Sequence, residues 1–210
     1  MKQDRIIGIY LAAGKSKRMG KNKLTLPLMN DCLGSIALKT ALQTELDHII
    51  IITNPSDELS WITPSLKMNK KWCSFSCDDA DKGQSHSLRF GIKNAIDLNA
   101  NAVMILLADQ PFISRKIIND LIFRYSTNKD NSIVAASFNG IPRPPILFSE
   151  NLYPELLKLQ GDKGARELLR RNIQDKKLII EFQDRLSFLD VDHEMDYLSI
   201  RKLDSGREKD

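Results

Sequence analysis

Two stretches of this chain place charge where a reaction at phosphorus could use it. Residues 11–28 read LAAGKSKRMGKNKLTLPL: five cations (Lys15, Lys17, Arg18, Lys21 and Lys23), two glycines and no acid. Residues 106–114 read LLADQPFIS, with Asp109 directly behind an apolar run. Clustered cations gather a polyphosphate and stabilise one as it departs. A carboxylate at the end of a strand can hold Mg²⁺ against phosphate oxygens, because Mg²⁺ prefers oxygen ligands. No Ser-His-Asp arrangement for covalent catalysis can be read. The bland alternatives are a solvated basic loop with turn glycines for 11–28, and a capped turn before Pro111 for Asp109.

The glycine spacing in the first stretch excludes two familiar phosphate loops. G-x4-G-K-[ST] fails, because five residues separate Gly14 from Gly20 and Asn22 follows Lys21. G-x-G-x-x-G fails because Lys15 and Ser16 follow Gly14. Ala12, Ala13 and Gly14 are still small enough for close backbone approach. Ser16 can donate to an oxygen, and Arg18 and Lys23 can neutralise a triphosphate. A third candidate is the run Lys82 to Leu88, KGQSHSL, where a loop enters a helix. Helix N-termini favour anions and carry free N–H groups; a plain capped helix start is the alternative reading.

These residues need a scaffold. Ile6–Leu11, His48–Thr53 and Ala102–Ala108 are continuous apolar runs bounded by turn residues, and Trp72–Cys77 is a weaker one. Ser132–Phe138 reads as a further strand. Helices are expected over Gly34–Leu42 and Gln84–Leu98, and after Ser114, where Ile117, Ile118, Leu121, Ile122 and Tyr125 share a face. Alternating helices and continuous apolar strands predict an α/β fold with a mainly parallel sheet covered on both faces. The last third is expected to hold a Pro-rich loop (Ile141–Pro145), a short strand (Ile146–Phe148), helices near Asn151–Leu159 and Lys163–Arg171, strands Lys177–Phe182 and Leu186–Val191, and a helix from His193. One domain over residues 1–203 with a disordered 204–210 tail is expected. Ligands of open α/β sheets sit outside the carboxyl ends of the strands. The chemistry should therefore follow Leu11, Cys77, Ala108 and Phe138.

Composition narrows the classes. The 210 residues are 28% charged and 42% hydrophobic, with a formal net charge of +4, which is ordinary for a soluble domain. A basic excess gathered in one loop suits a small polyanion better than a nucleic-acid-coating face, so no nucleic-acid partner is expected. Three cysteines (Cys32, Cys73, Cys77) and three scattered histidines match no zinc spacing and read as reduced thiols and isolated imidazoles. The longest apolar run, Ala102–Ala108, cannot span a bilayer. A cytoplasmic location with no membrane partner is the expectation.

The stretch 11–28 closely resembles L-A-A-G-x-S-x-R-M-G-x-x-K-x-x-L-P-L, the signature of MobA-like, GT-A-type nucleotidyltransferases and specifically of the molybdenum cofactor cytidylyltransferase family. The resemblance runs from about Ile6 to Tyr197. It implies a Rossmann-like GT-A fold whose first loop (Leu11, Ala12, Ala13, Gly14, Ser16) wraps a nucleoside triphosphate. By the same likeness, Arg18 meets phosphates and Lys23 stabilises charge at the reacting α-phosphate. Gly83, Ser85, Ser87 and Leu88 match the family's G-x-S-x-S-L near base and ribose. Ala108-Asp109-Gln110-Pro111 matches A-D-Q-P, whose Asp is a metal ligand. Residues 189–197 resemble D-V-D-T-P-E-D, making Asp192 the second metal ligand, although His193 and Glu194 replace Thr-Pro; the alternative is that Asp192 only N-caps a helix. Gly161-Asp162-Lys163-Gly164-Ala165-Arg166 matches G-D-x-G-A-R and implies Lys163 and Arg166 on the acceptor side. Residues 139–148 resemble G-x-x-G-x-P-x-x-F but lack its second glycine, a departure that bears on the shape of the acceptor pocket.

The implied reaction is Mg²⁺-dependent transfer of CMP from CTP to the phosphate of a molybdopterin cofactor, with release of pyrophosphate. CTP follows from Ala13: guanylyl-transferring relatives usually read L-A-G-G there, and a methyl group fills space a purine would need. A xanthine dehydrogenase-type apoenzyme in purine catabolism is the implied recipient. Two other readings stay open: a cytidylyl- or uridylyltransferase acting on a sugar or polyol phosphate, and a cofactor-insertion chaperone without turnover.

Overall fold

The computed structural model describes residues 4–14, 16, 19, 20, 22–162, 164–170 and 176–202, and the backbone of 203–207. Nine strands are described: β1 (Ile6–Leu11), β2 (Pro27–Leu28), β3 (Asp31–Cys32), β4 (His48–Thr53), β5 (Trp72–Ser76), β6 (Ala102–Leu107), β7 (Asn131–Phe138), β8 (Ile141–Ser149) and β9 (Lys176–Glu181). The helices are α1 (Leu33–Leu42), α2 (Pro64–Lys67), α3 (Gln84–Asp97), α4 (Arg115–Thr127), α5 (Tyr153–Leu157), α6 (Arg166–Arg170) and α7 (Glu194–Arg207). A seven-stranded sheet runs β5-β4-β1-β6-β8-β7-β9, and β2 pairs with β3 in a small hairpin. Within the large sheet β8 alone is antiparallel to its neighbours.

The apolar strands are buried on both faces, as their lack of polar alternation requires. Along β1, Ile6 and Tyr10 join one core with Leu38 and Ala41 of α1 and Ile118 and Leu121 of α4. Ile7 and Ile9 join the opposite core with Leu88 and Ile92 of α3 and Leu156 of α5. Gly91 brings α3 close to the sheet: a Cβ there would lie 2.6 Å from Ile9 Cγ2. That approach carries the N-terminus of α3 to the carboxyl ends of β1 and β6. Ser114 caps α4 as expected, its Oγ accepting from the Ile117 N–H at 3.3 Å. No helix among the described residues is long and apolar enough to cross a membrane.

Three expectations for the last third are corrected. Ile141–Pro145 is not a loop but the first half of β8, pairing through Ile141, Pro142 and Arg143 with Phe138, Ser137 and Ala136. Pro144 and Pro145 fall where the β7 register shifts between Ala135 and Ala136, a bulge that tolerates missing ladder N–H groups. Leu186–Val191 is not a strand. It begins as a 3₁₀ turn, Leu186–Phe188, because Asp184 accepts the Leu186 N–H at 3.1 Å and the Ser187 hydroxyl at 2.5 Å. Finally, α7 continues to Arg207, past residue 203 where the folded unit was expected to end.

Candidate active site

The cleft opens outside the carboxyl ends of β1 and β6, two of the four strand ends to which the sequence pointed. Leu11, Ala12, Ala13, Gly14, Lys23, Gly83, Ser87 and Asp109 all line a hollow of about 340 Å³. Ser16 lines an adjoining one of about 660 Å³. Asp192 and Arg166 line a third, of about 460 Å³, which shares Leu11, Gln84, Leu107, Asp109 and Asp162 with the first.

Lys23 stands at the junction. It is 8% exposed, so it is not the solvated cation of a basic loop. Burying an ammonium costs several kcal/mol unless it is well partnered. Here Nζ donates to Asp109 Oδ2 at 2.7 Å, the Val191 carbonyl at 2.8 Å and Asp192 Oδ1 at 3.2 Å. Its backbone is held as well. Ser16 Oγ accepts the Lys23 N–H at 3.1 Å, and Asn22 caps the 3₁₀ turn Lys23–Thr25. Ser16 thus shapes the loop, and its hydroxyl proton stays available to donate.

The two aspartates are joined through the backbone. The Val191 N–H donates to the Asp109 carbonyl at 2.9 Å, so the 189–192 segment lies along the turn that follows β6. Phe188, stacked on Phe138 with ring centroids 5.8 Å apart, anchors that segment to β7. Asp196 reaches back to the N–H groups of Asp192 and His193 at 3.1 and 2.8 Å, fixing the start of α7. Asp192 keeps its carboxylate toward Lys23 despite the loss of Thr-Pro.

A third carboxylate sits beside them. Asp190 accepts from Gln110 Nε2 at 2.8 Å. Burial holds its acid above the usual carboxylate range, the Asp109 charge adds to that, and the Gln110 amide opposes it. Three carboxylates against the Lys23 ammonium and the Arg143 guanidinium, 3.9 Å from Asp190, leave negative charge in excess. A divalent cation fits this donor set. Mg²⁺ binds through one or two carboxylates and completes its shell with water and substrate phosphate, and Asp109 and Asp192 lie within reach of a single cation, as Lys23 Nζ demonstrates. No set of three or more metal-ligating side chains is gathered among the described residues.

Two glycine segments lock the halves of the cleft together. Gly83 has φ +123°, and a Cβ on it would meet the Gly161 carbonyl carbon and oxygen at 2.5 Å. The Ser85 N–H donates to that same carbonyl oxygen at 3.1 Å. A Cβ on Gly164 would strike Gln84 Oε1 at 2.4 Å. The G-D-x-G-A-R segment is therefore laid across the N-terminus of α3. Ser85 is drawn inward by this packing: it is fully buried, lines none of the three hollows, and its Oγ has no hydrogen-bond partner among the described residues. Ser87 faces the cleft; burial pushes the acid of the neighbouring Cys77 thiol up, and the Ser87 hydroxyl opposes that shift.

The candidates Arg18 and Lys163, with Lys15, Lys17 and Lys21, lie outside the described residues. Gln110, Arg143, Asp162 and Asp190 line the cleft without having been singled out by the sequence. Gln110 and Asp162 were within recognised motifs and gave a signal. Arg143 and Asp190 also fell within quoted segments, 139–148 and 189–197, but only the path of β8 and of residues 186–192 brings them to the cleft.

A parallel-stranded sheet with a cationic loop, an acidic strand end and a glycine-locked helix start is the architecture of a nucleotidyltransferase. The MobA-like NTP transferase domain matches residues 8–177, and the chain belongs to that family. It is 38% identical over 206 residues to the purine catabolism protein PucB of Bacillus subtilis, covering 96% of this chain and 98% of the relative. Nicotine blue oxidoreductase of Paenarthrobacter nicotinovorans is 24% identical over 180 residues, with 79% and 82% covered. A probable molybdenum cofactor guanylyltransferase of Mycobacterium avium is 23% identical over 136 residues, with 64% of each chain covered. Among solved structures, Rv0371c of Mycobacterium tuberculosis superposes with a TM-score of 0.82 at 23% identity, covering 96% of this chain and all of that one, which establishes the shared fold.

Proposed function

We propose that this protein transfers CMP from CTP to the phosphate of a molybdopterin cofactor and releases pyrophosphate. The observation that carries the proposal is Lys23, buried against Asp109 and Asp192 where two adjoining hollows meet. One hollow suits the triphosphate and the other the acceptor, with the reacting phosphorus between them. An acceptor phosphate oxygen forms the new bond to the α-phosphorus. The bond from that phosphorus to the β-phosphate oxygen breaks, and its electron pair leaves with pyrophosphate. Phosphate monoesters are largely dianionic at neutral pH, so no general base is required. Lys23 supports the charge that develops at the α-phosphate, in a setting already organised before reaction. Asp109 and Asp192 would hold Mg²⁺, which supplies Lewis-acid neutralisation of the phosphate oxygens when bound.

Arg18 is assigned to the triphosphate, Gly83 and Ser87 to the nucleotide, and Lys163 and Arg166 to the acceptor. Ser85 is not carried into the proposal, because its hydroxyl is buried away from the cleft. CTP is favoured because the Ala13 methyl lines the nucleotide hollow while packed against the core. The molybdenum-cofactor assignment draws on G-D-x-G-A-R and on the name of the mycobacterial guanylyltransferase. The purine-catabolism name of PucB suggests a xanthine dehydrogenase-type recipient.

The test is pyrophosphate release with Mg²⁺ and each of CTP, GTP, ATP and UTP, with and without molybdopterin cofactor. The expected result is release only with CTP plus cofactor. Release with GTP plus cofactor would reverse the Ala13 argument. Release with CTP and a polyol or sugar phosphate, but not with the cofactor, would replace the acceptor.

A further inference from the structure

The acceptor side of the cleft contains a donor with nothing to donate to. Arg143 lines the 460 Å³ hollow, and its Nε is buried with no hydrogen-bond partner among the described residues. Nη1 makes only a long contact to the Phe188 carbonyl, 3.4 Å, and approaches Asp190 Oδ2 no closer than 3.9 Å, beyond hydrogen-bond range. Asp190 is engaged instead by Gln110 at 2.8 Å. Buried polar groups in folded proteins are nearly always satisfied, and an exception calls for an explanation such as an absent ligand.

The side chain is also well placed. Pairing of β6 with β8 stops at Ile105–Ile146, and Arg143 continues against Ala136 of β7. It therefore projects from a paired strand beyond the end of β6, in the hollow that Asp109 and Asp192 share. Arg166 and Arg170 border the same hollow from a five-residue helix and are exposed. Counting back from Phe148 through G-x-x-G-x-P-x-x-F puts Arg143 at the missing second glycine. Where that pattern would leave space, this chain places a guanidinium. Asp109, Asp190, Asp192 and Glu167 face the same space, and would repel a phosphate that had no cation to meet it.

We infer that Arg143 is an acceptor-binding residue: its guanidinium takes the acceptor's phosphomonoester through Nε and a terminal amino group, and sets that phosphate beside Lys23. The planar fork suits two parallel charge-assisted bonds to phosphate oxygens. The acceptor role rests on the transfer reading above; binding of a phosphate dianion does not.

The experiment uses the full chain and its Arg143→Gln and Arg143→Lys variants. Inorganic phosphate is titrated while arginine Nε–H resonances are followed, with Arg143 assigned by the signal both variants lose. The Arg143 resonance is expected to shift saturably. In transfer assays, Arg143→Gln should raise the acceptor KM about 10- to 100-fold, leave the CTP dissociation constant unchanged, and be partly rescued by Arg143→Lys. An Arg143 resonance that ignores phosphate would overturn the inference. So would an Arg143→Gln variant, or the lysine variant if glutamine does not fold, whose acceptor KM stays at the wild-type value or rises in step with the CTP constant. If the wild-type protein transferred nucleotide to no phosphomonoester, the proposed function would fall, and the phosphate titration would still decide the fate of Arg143.

Discussion

The half of the cleft proposed to take the nucleotide rests on β1 and β6, parallel strands whose carboxyl ends release the Leu11–Gly14 turn and Asp109. The half proposed to take the acceptor rests on β8, the strand that runs the other way, and on a segment, residues 186–192, held by side-chain bonds and aromatic stacking rather than by a ladder. The first half is set by backbone geometry common to open α/β sheets. The second is set by individual contacts: Gln110 to Asp190, Phe188 on Phe138, and Gly161 against Gly83. A fold of this kind can keep its nucleotide chemistry while its acceptor changes, because the two halves depend on different parts of the chain.

If the chemistry of both halves runs through Lys23, Asp109 and Asp192, changes there should damage both at once. Asp109→Asn is expected to lower turnover by about 10³-fold, and Lys23→Ala similarly; far-UV circular dichroism should show the fold retained for Asp109→Asn. Chelation of divalent metal should abolish transfer and its restoration by Mg²⁺ should recover it, measured as pyrophosphate release. A smaller effect would sharpen the distinction within the nucleotide half. Ala13→Gly should raise GTP use relative to CTP by about 10-fold, since one methyl group in a pocket is worth roughly that much discrimination; the ratio of kcat/KM values reads it directly.

Gly83→Ala should tie the halves together in a different way. The new methyl would meet the Gly161 carbonyl at 2.5 Å from a backbone at φ +123°, a strain of about 1–3 kcal/mol. Thermal unfolding should shift downward, and the KM values for both substrates should rise together. The smallest effect belongs to Ser85→Ala. Its buried hydroxyl has no partner, so removal should leave stability within about 0.5 kcal/mol and kinetics unchanged. A large loss of nucleotide affinity in that variant would return Ser85 to the binding site.

The nucleotide half was largely legible in the sequence because its signals are local. Continuous apolar strands announce a parallel sheet, and small residues after Leu11 announce a phosphate-sized turn. Asp109 directly follows the strand that positions it. The acceptor half was less legible because its signals are not local. Prolines at 142, 144 and 145 read as a loop, yet β8 pairs Pro142 with Ser137 and absorbs Pro144 and Pro145 at a bulge in its pairing with β7. Residues 186–191 read as a strand, but Asp184 turns the chain into a 3₁₀ turn over Leu186–Phe188. Ser85 matched a motif position while packing against Gly161 turned it inward. Arg143 carried no signal of its own beyond standing where a glycine was missing.

The most direct test of the central claim is the product itself. Full-length protein, Mg²⁺, CTP and molybdopterin cofactor would be incubated and the cofactor fraction analysed by mass spectrometry and ³¹P NMR. The account predicts a cofactor heavier by one CMP unit, joined through a new phosphoanhydride, with one pyrophosphate for each product formed. Pyrophosphate and free CMP with an unmodified cofactor would contradict it, because the α-phosphorus would then have gone to water rather than to the acceptor phosphate.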